Sequence, residues 1–251
     1  MSSIPVLSLK PIVDGAPQAD EVVARELLPI LQSWGAFQLV DHGVPVDVMS
    51  GAFKAAERFF CLPLEQRMTI RVGRDNRGYV PMHQTHYPGN KPDLKESFNV
   101  GRPALTPDDP DVKAGKPLHG VNRWPDLDGF REPVENYFNA VTALGDRLLG
   151  PLAICLGMNS GALRQRYGKA VAFMRLFHYP PDSNVEEFYQ RFMLQCRNSH
   201  GIFMHGPLDA AYYCTLRISC CATPIVHPAD PGRNPRRRWR RAVHRNGGRF
   251  T

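Results

Sequence analysis

The sequence predicts an α+β fold, in which amphipathic helices cover one face of a sheet. Two observations lead to this prediction. Apolar residues recur at helical spacing in three long segments, and shorter runs with the character of strands lie between them. The chain has 251 residues, of which 43% are hydrophobic and 22% charged, as in ordinary globular proteins. No run approaches the roughly 20 apolar residues of a membrane helix, so we expect a cytoplasmic protein without a membrane partner.

The first elements are a strand, a helix and a second strand. "IPVLSL" (4–9) is predicted as an edge strand, because a proline lies near its start. The segment 20–34 is predicted as a helix with Asp20 as its N-cap and Gly35 as its C-terminal stop. "AFQLVDHGVP" (36–45) is then predicted as a strand that closes in a turn.

Two further helices and two strands follow. A helix over 46–62 is ended by Pro63, and "ESFNVG" (96–101) is predicted as a strand. The longest helix spans 130–157, and "GKAVAFMRLFHYPP" (168–181) is predicted as a strand. The apolar stripe of the longest helix consists of Val134, Tyr137, Val141, Leu144, Leu148 and Leu152.

Beyond Pro181 the local patterns stop agreeing with one another. Residues 231–251 carry eight arginines and no acid, which leaves a charge of −1 on residues 1–230 out of the total of +7. The body of the protein is therefore near neutral, and we interpret the arginine block as a solvated tail without a nucleic-acid partner. The alternative is a nucleic-acid arm, in which arginines neutralise phosphates and Trp239 stacks on a base.

The cysteines and histidines point to few special sites. Cys61 and Cys155 lie in apolar surroundings and are expected to be buried free thiols. No Cys-x-x-Cys pair occurs among the six cysteines, which argues against a zinc site. His42 is interpreted as structural, and the pair His83 and His86 as surface residues.

Several strings together resemble the isopenicillin N synthase-like branch of the iron(II)/2-oxoglutarate-dependent oxygenases. They occur in the family's order, at about its spacing, over residues 1–181. The strings are "IPVLSL", "WGAFQLVDHGVP", "AAERFFCLPLEQR", "RGYVP", "DLKESFNVG", "NRWP", "YFNAVTALGDRLLGPLAICLG" and "MRLFHYPP". The resemblance implies helices packed on a double-stranded β-helix, or jelly roll, which we expect to be incomplete in this chain.

The same resemblance implies Fe(II) and 2-oxoglutarate as cofactors and a small molecule as substrate. In the family a His-x-Asp pair and a later histidine hold the iron and leave positions open for 2-oxoglutarate and O₂. An Arg-x-Ser pair past the second histidine grips 2-oxoglutarate. A residue on the "HYPP" strand contacts the same cosubstrate, and this position is Tyr179 here, with Arg175 as the second candidate.

The chain departs from the family pattern at the iron site. None of its nine histidines is followed two residues later by Asp or Glu, so no residue is assigned as an iron ligand or as catalytic. "RIS" (217–219) matches Arg-x-Ser but precedes any suitable second histidine, and we interpret it as a chance match. The predicted function is therefore that of a family oxidoreductase that is inactive as this chain. A binding-only relative and a nucleic-acid-binding tail stay open as alternatives.

The genetic code suggests an origin for the segment after Pro181. If the codons for Val226–Gly232 are read one base later, they allow Phe-Thr-Leu-Leu-Thr-Gln-Asp, close to a string that the family carries after His-x-Asp. Val-Gly-Gly is likewise allowed opposite Arg238–Arg240. We hypothesise that residues 225–241 are translated out of the ancestral frame, with mis-splicing and true divergence as alternatives.

These observations divide the chain into three segments. Residues 1–125 form the N-terminal region of a non-haem dioxygenase. Residues 126–181 form the long helix and the first strand of the core. Residues 182–251 are interpreted as a divergent, mis-framed or disordered remnant of the catalytic domain. We expect the protein to be a monomer.

Overall fold

The structure is a computed structural model that describes residues 5–84, 95–103, 105–167 and 172–178, and the strands 202–204 and 212–218. Helices and sheets occur together in this part of the chain, as the sequence predicted. The strands are β1 (Val6–Ser8), β2 (Gln38–Val40), β3 (Gly78–Val80), β4 (Glu96–Gly101), β5 (Ala172–His178), β6 (Ile202–Met204) and β7 (Tyr212–Ile218). The helices are α1 (Lys10–Val13), α2 (Ala19–Ser33), α3 (Val46–Phe60), α4 (Leu64–Met68), α5 (Pro110–Lys113), α6 (Arg131–Cys155) and α7 (Gly161–Arg166).

Five of the strands form one antiparallel sheet in the order β3-β4-β5-β7-β6. β4 and β5 pair over the whole length of β4, from Glu96 opposite His178 to Gly101 opposite Phe173. β1 and β2 form a separate two-stranded parallel sheet. The five-stranded sheet by itself does not establish the double-stranded β-helix that the resemblance implied, so that fold stays a proposal. β6 and β7 belong to the third predicted segment, and the three-segment division stays a prediction.

The predicted helices are present, with differences at their ends. α2 begins at Ala19, and its N-cap is Gln18, in the left-handed region at φ 53°, so the assignment of the cap to Asp20 was wrong. Asp20 lies inside the first turn, where its carboxylate is 3.4 Å from Nη1 of Arg164 on α7. A carboxylate there is favourable, because the first turn of a helix carries a partial positive charge.

β2 is shorter than the predicted strand over 36–45. Asp41 has φ 51°, outside the extended region, and this conformation ends the strand. The hydroxyl of Ser8 at the end of β1 donates to Oδ2 of Asp41 at 2.6 Å, which holds the turn against the neighbouring strand.

The core lies between the helices and the five-stranded sheet. Five of the six predicted stripe positions of α6 are buried, and Leu152 is partly buried and packed against the core. Phe59 of α3 lies at its centre, with no exposed surface, and its ring lies 5.0–5.9 Å from the rings of Phe60, Tyr79, Phe98 and Phe130. Such tilted and edge-on pairs add to the burial energy of each ring.

The thiols of Cys61 and Cys155 are both free, but the predicted burial of Cys61 was wrong. Cys61 follows the last residue of α3, and it is exposed. Cys155 is half-buried, and its Sγ donates to the carbonyl of Ala24 at 3.5 Å. None of the described helices combines the length and the apolar character that crossing a membrane requires.

Candidate functional site

The two faces of the β4–β5 pair differ in character. Successive side chains of a strand point to opposite faces, so one set packs on the helices and the other faces away from them. The helix-packed set is apolar over most of its length, with Phe98, Val100, Ala172, Met174 and Leu176 in the core. We call the other face the outer face. It carries Ser97, Asn99 and Gly101 from β4 and Phe173, Arg175 and Phe177 from β5.

Arg175, one of the two predicted cosubstrate residues, lies on the outer face. It is opposite Asn99 in the strand register, and its guanidinium carbon lies 5.1 Å from the ring centroid of Phe173. Stacking of this kind fixes the plane of the guanidinium and hence the directions in which its N–H groups donate. Tyr179, the other predicted cosubstrate residue, lies outside the described residues.

A second cation that the sequence did not single out lies close to this face. Lys95 is 6% exposed, and its ammonium lies 5.4 Å from the centroid of the Phe177 ring. Lys95 immediately precedes β4 and stands two residues before Ser97, so it continues the same alternation.

Polar groups complete the outer face. The hydroxyl of Ser97 donates to Oδ1 of Asn99 at 3.2 Å, and Nδ2 of Asn99 donates to Oδ1 of Asn76 at 2.8 Å. Two cations, an amide and a hydroxyl are thus placed along one side of two paired strands. Groups of this kind attract and orient carboxylates.

The opposite face of the same strands carries a buried acid, Glu96. Its Oε2 accepts hydrogen bonds from Nη1 of Arg67 on α4 and from the hydroxyl of Tyr79 on β3. Its Oε1 lies 2.7 Å from Nδ1 of His178 on β5. We call Arg67, Tyr79, Glu96 and His178 the Glu96 cluster. The side chain of Glu96 is 5% exposed, so these bonds form largely away from water.

The Glu96 cluster shifts the acidity of its members. Burial alone would raise the pKa of Glu96, but the hydrogen bonds from His178 and Tyr79 and the charge of Arg67 outweigh it and lower the pKa. The pKa of Tyr79 is raised, first by burial and then by its hydrogen bond to the Glu96 carboxylate. Glu96 is therefore a carboxylate at neutral pH and Tyr79 a phenol.

A further buried cation anchors the long loop after β4. Arg77 is 1% exposed, and its Nη2 donates to the carbonyl of Leu118 at 2.6 Å. Its guanidinium occupies the space where a side chain at Gly101 would start. The side-chain amide of Asn122 accepts from the N–H of Gly101 at 2.7 Å and donates to its carbonyl at 2.9 Å, which ties the loop to the end of β4.

The described histidines do not form a metal site. His42 accepts from the N–H of Val44 at 3.1 Å, as expected of a structural residue, and His83 is exposed. His86 lies outside the described residues. Among the residues that the structure describes, no three His, Cys, Asp or Glu side chains come together as metal ligands. His200, His205, His227 and His244 also lie outside the described residues, so the expected lack of an iron triad stays a prediction.

The assignment of Arg175 to the cosubstrate stays a prediction, and sequence reasoning did not single out Lys95, Asn99 or the Glu96 cluster. Glu96 and His178 are 82 positions apart, and nothing in either local pattern indicates that they meet. The only signal was indirect, since both residues lie within strings that carried the family resemblance.

Comparison with known proteins relates this chain to one family. Residues 4–127 match the model of the N-terminal region of the non-haem dioxygenases, described as "non-haem dioxygenase in morphine synthesis N-terminal". The chain is 35% identical over 183 residues to the 2-oxoglutarate-dependent dioxygenase tropC of Talaromyces stipitatus. This alignment covers 68% of this chain and 55% of tropC. The chain spans about half the length of the curated relatives it matches.

Two solved structures align with this chain. A full-length protein of Neurospora crassa, crystallised in complex with α-ketoglutarate and thymine, aligns with a TM-score of 0.57 and 25% identity over 70% of this chain and 55% of that one. A 2OG-Fe(II) oxygenase family protein from Caulobacter crescentus aligns with a TM-score of 0.66 over 87% of this chain and 74% of that one. At 22% identity, the second likeness concerns the fold alone.

Proposed function

Since this chain belongs to the Fe(II)/2-oxoglutarate-dependent oxygenase family, we propose that its scaffold is that of an oxidoreductase for a small molecule, and that these 251 residues by themselves do not turn over 2-oxoglutarate. The first half of the proposal follows from kinship. The second half follows from the lack of a correctly spaced pair of iron ligands in the sequence.

The absence of a correctly spaced ligand set in the sequence carries the proposal. A non-haem Fe(II) site of this kind needs two histidines and one carboxylate on one side of the metal. In the family, the first histidine and the acid are two residues apart. No such pair occurs anywhere in the 251 residues. A histidine without a correctly spaced carboxylate should bind iron no better than a surface imidazole.

The outer face supports the proposal that this side of the sheet contacts 2-oxoglutarate. Arg175 and Lys95 bring two positive charges to one side of β4 and β5. Together with Tyr179, which follows β5 directly in the sequence, they are the residues we propose for contact with a carboxylate-bearing cosubstrate. Their role would be to attract and orient the carboxylate, and no oxidation step is assigned to any residue of this chain.

The same proposal includes the fold of the sheet, the oligomeric state and the cellular location. We propose that the sheet is one half of a double-stranded β-helix, as the family resemblance implies. The alignment with the Neurospora crassa protein crystallised with α-ketoglutarate supports this proposal. We also propose a monomer in the cytoplasm.

A turnover assay tests the proposal. The purified chain is incubated with Fe(II), ascorbate, O₂ and labelled 2-oxoglutarate, and the release of labelled succinate is followed. The Talaromyces stipitatus dioxygenase serves as the positive control under the same conditions. We expect succinate from the control and none above the enzyme-free blank from this chain. Succinate formed by this chain in proportion to its concentration would refute the proposed inactivity.

A further inference from the structure

We propose that Glu96 is a positioning residue, which holds His178 in its Nδ1-protonated tautomer at the end of β5. The inference rests on the proposed function, which places a cosubstrate contact at Tyr179, the next residue in the sequence. It deepens that function by naming the group that orients this end of the strand.

The two oxygens of Glu96 have different partners. Oε2 accepts from Arg67 and from Tyr79, whose own side chains meet at 3.2 Å between Nη1 and the phenol oxygen. Both of these groups are donors, so Oε2 is held at the Arg67 side of the cluster. This fixes the carboxylate in a single orientation and directs Oε1 towards His178.

The charge of Glu96 decides which nitrogen of His178 carries the proton. A carboxylate can only accept hydrogen bonds, and Oε2 of Glu96 already accepts from the Arg67 cation and the Tyr79 hydroxyl, which favours the ionised form of Glu96. At 2.7 Å from Oε1, Nδ1 of His178 must therefore be the donor. In the neutral ring, Nε2 is then the unprotonated nitrogen.

The plane of the His178 ring is set from a second direction. Phe60, the last residue of α3, stacks on the imidazole with the ring centroids 5.2 Å apart and an angle of 26° between the planes. The imidazole is thus held in its plane by a helix and at its edge by the neighbouring strand. Carboxylates that bind one nitrogen of a histidine in this way commonly orient the ring and tune its other nitrogen at functional sites.

Long-range ¹H–¹⁵N NMR of the imidazole tests the proposal directly. Labelled chain is titrated to the alkaline end of the histidine transition, and a His178→Gln variant identifies the resonances of His178. We expect the remaining ring proton of His178 on Nδ1. A neutral ring protonated on Nε2 would overturn the proposal, whatever the variants show.

In the Glu96→Gln variant we expect the opposite tautomer of His178. Arg67 and Tyr79 are donors, so they retain the amide oxygen at the former Oε2 position, and the NH₂ group then faces Nδ1 of His178. An NH₂ group donates, so Nδ1 must become the acceptor and the tautomer inverts. An unchanged tautomer in this variant would also overturn the proposal.

Tyr79→Phe is the matched control. It removes a donor from Oε2 but leaves Oε1 and its charge in place, so the Nδ1-protonated tautomer should persist; inversion in this variant would count against the proposal. No iron or 2-oxoglutarate enters the measurement. The NMR experiment can therefore refute the proposed role of Glu96 independently of the proposed function, which the succinate assay tests.

Discussion

Glu96 is a single residue that joins four elements around one charge. Its carboxylate, on β4, bonds to side chains of α4, β3 and β5, and α3 adds a ring that stacks on His178. Burying a carboxylate is costly unless donors replace its water, and here three side chains do so. The Glu96 cluster therefore stabilises the folded state only while Glu96 is ionised.

The first prediction concerns the pH dependence of this contribution. The pKa of Glu96 is lower in the folded than in the unfolded chain, so its contribution is complete above the ordinary glutamate value of about 4.3. It is lost as the pH falls through the lower folded value. Glu96→Gln should reduce the free energy of unfolding by about 2–3 kcal/mol at neutral pH, since charged hydrogen bonds are lost. Urea unfolding at neutral pH and at about pH 3 should show the difference shrinking with acid.

Glu135→Gln is the control for this series. Glu135 pairs with Arg131 four residues earlier in α6 at 2.9 Å, and the arginine side chain is 61% exposed. Removing a pair whose arginine is exposed to water should change the free energy of unfolding by less than about 1 kcal/mol. An equal effect of both variants, or a Glu96→Gln effect that does not change with pH, would contradict this account of the cluster.

Two glycines give a second prediction at the same scale. A Cβ at Gly101 would overlap the buried guanidinium of Arg77, whereas a Cβ at Gly51 in α3 would be 3.6 Å from Pro133, an ordinary contact. Gly101→Ala should therefore destabilise the protein by about 1–3 kcal/mol through overpacking. Gly51→Ala should be neutral or stabilising by up to about 1 kcal/mol, because alanine favours a helix. Thermal melts compare the two, and a Gly101→Ala variant as stable as the parent would contradict the packing described here.

Among the elements, α3 joins the helices to the sheet. Its residues Phe59 and Phe60 face in different directions, the first into the aromatic core and the second onto His178. The amphipathic pattern of α3 thus places one ring in the apolar core and one against the polar Glu96 cluster.

The third prediction tests this role of α3. Phe59→Ala should lower the free energy of unfolding by about 3–5 kcal/mol, because it opens a cavity among four other aromatic rings. Phe53, on the same helix but only partly buried, is the matched position, and Phe53→Ala should cost clearly less. Equal losses for the two variants in urea unfolding would show that Phe59 is not central to the core.

The same elements show what the sequence could and could not predict. The long helix α6 and the strand β5 were predicted within a few residues, because each has a sustained apolar pattern of its own. The cap of α2 was misplaced, because the chain enters that helix through a left-handed Gln18 that no cap rule favours.

The polar part of the candidate site was harder to predict. Arg175 was proposed as a cosubstrate residue from the family strings and stays a prediction, whereas Lys95 and Glu96 acquire their surroundings only when β4 pairs with β5. Adjacent in sequence, they end on opposite faces of the sheet, one near Phe177 and the other against His178. Pairings between residues so distant in the chain leave no periodic signal within either strand.

For the whole molecule, the central feature of the proposal is the contrast between a family scaffold and a sequence in which no histidine is followed two residues later by Asp or Glu. The alignment with tropC covers 68% of the chain, and the family model matches residues 4–127. The positive charge and the loss of family motifs both fall after Pro181. A change of reading frame over residues 225–241 would account for the arginine-rich composition of that segment, and residues 183–218 stay without an explanation.

The fourth prediction follows from this explanation. The nucleotide sequence of the gene, read one base later across the codons for 225–241, should encode Phe-Thr-Leu-Leu-Thr-Gln-Asp opposite Val226–Gly232. Sequencing of genomic DNA and of the transcript provides the measurement, and comparison of the two reveals any splicing difference. A shifted frame that spells an unrelated string would refute the hypothesis.

The most direct measurement of the central claim is equilibrium dialysis of the purified chain against Fe(II) under anaerobic conditions, with and without 2-oxoglutarate. We expect weak uptake well below one iron per chain, unaffected by 2-oxoglutarate, because no histidine of the sequence is followed two residues later by Asp or Glu. Tight uptake of one iron per chain, strengthened by 2-oxoglutarate, would contradict the account.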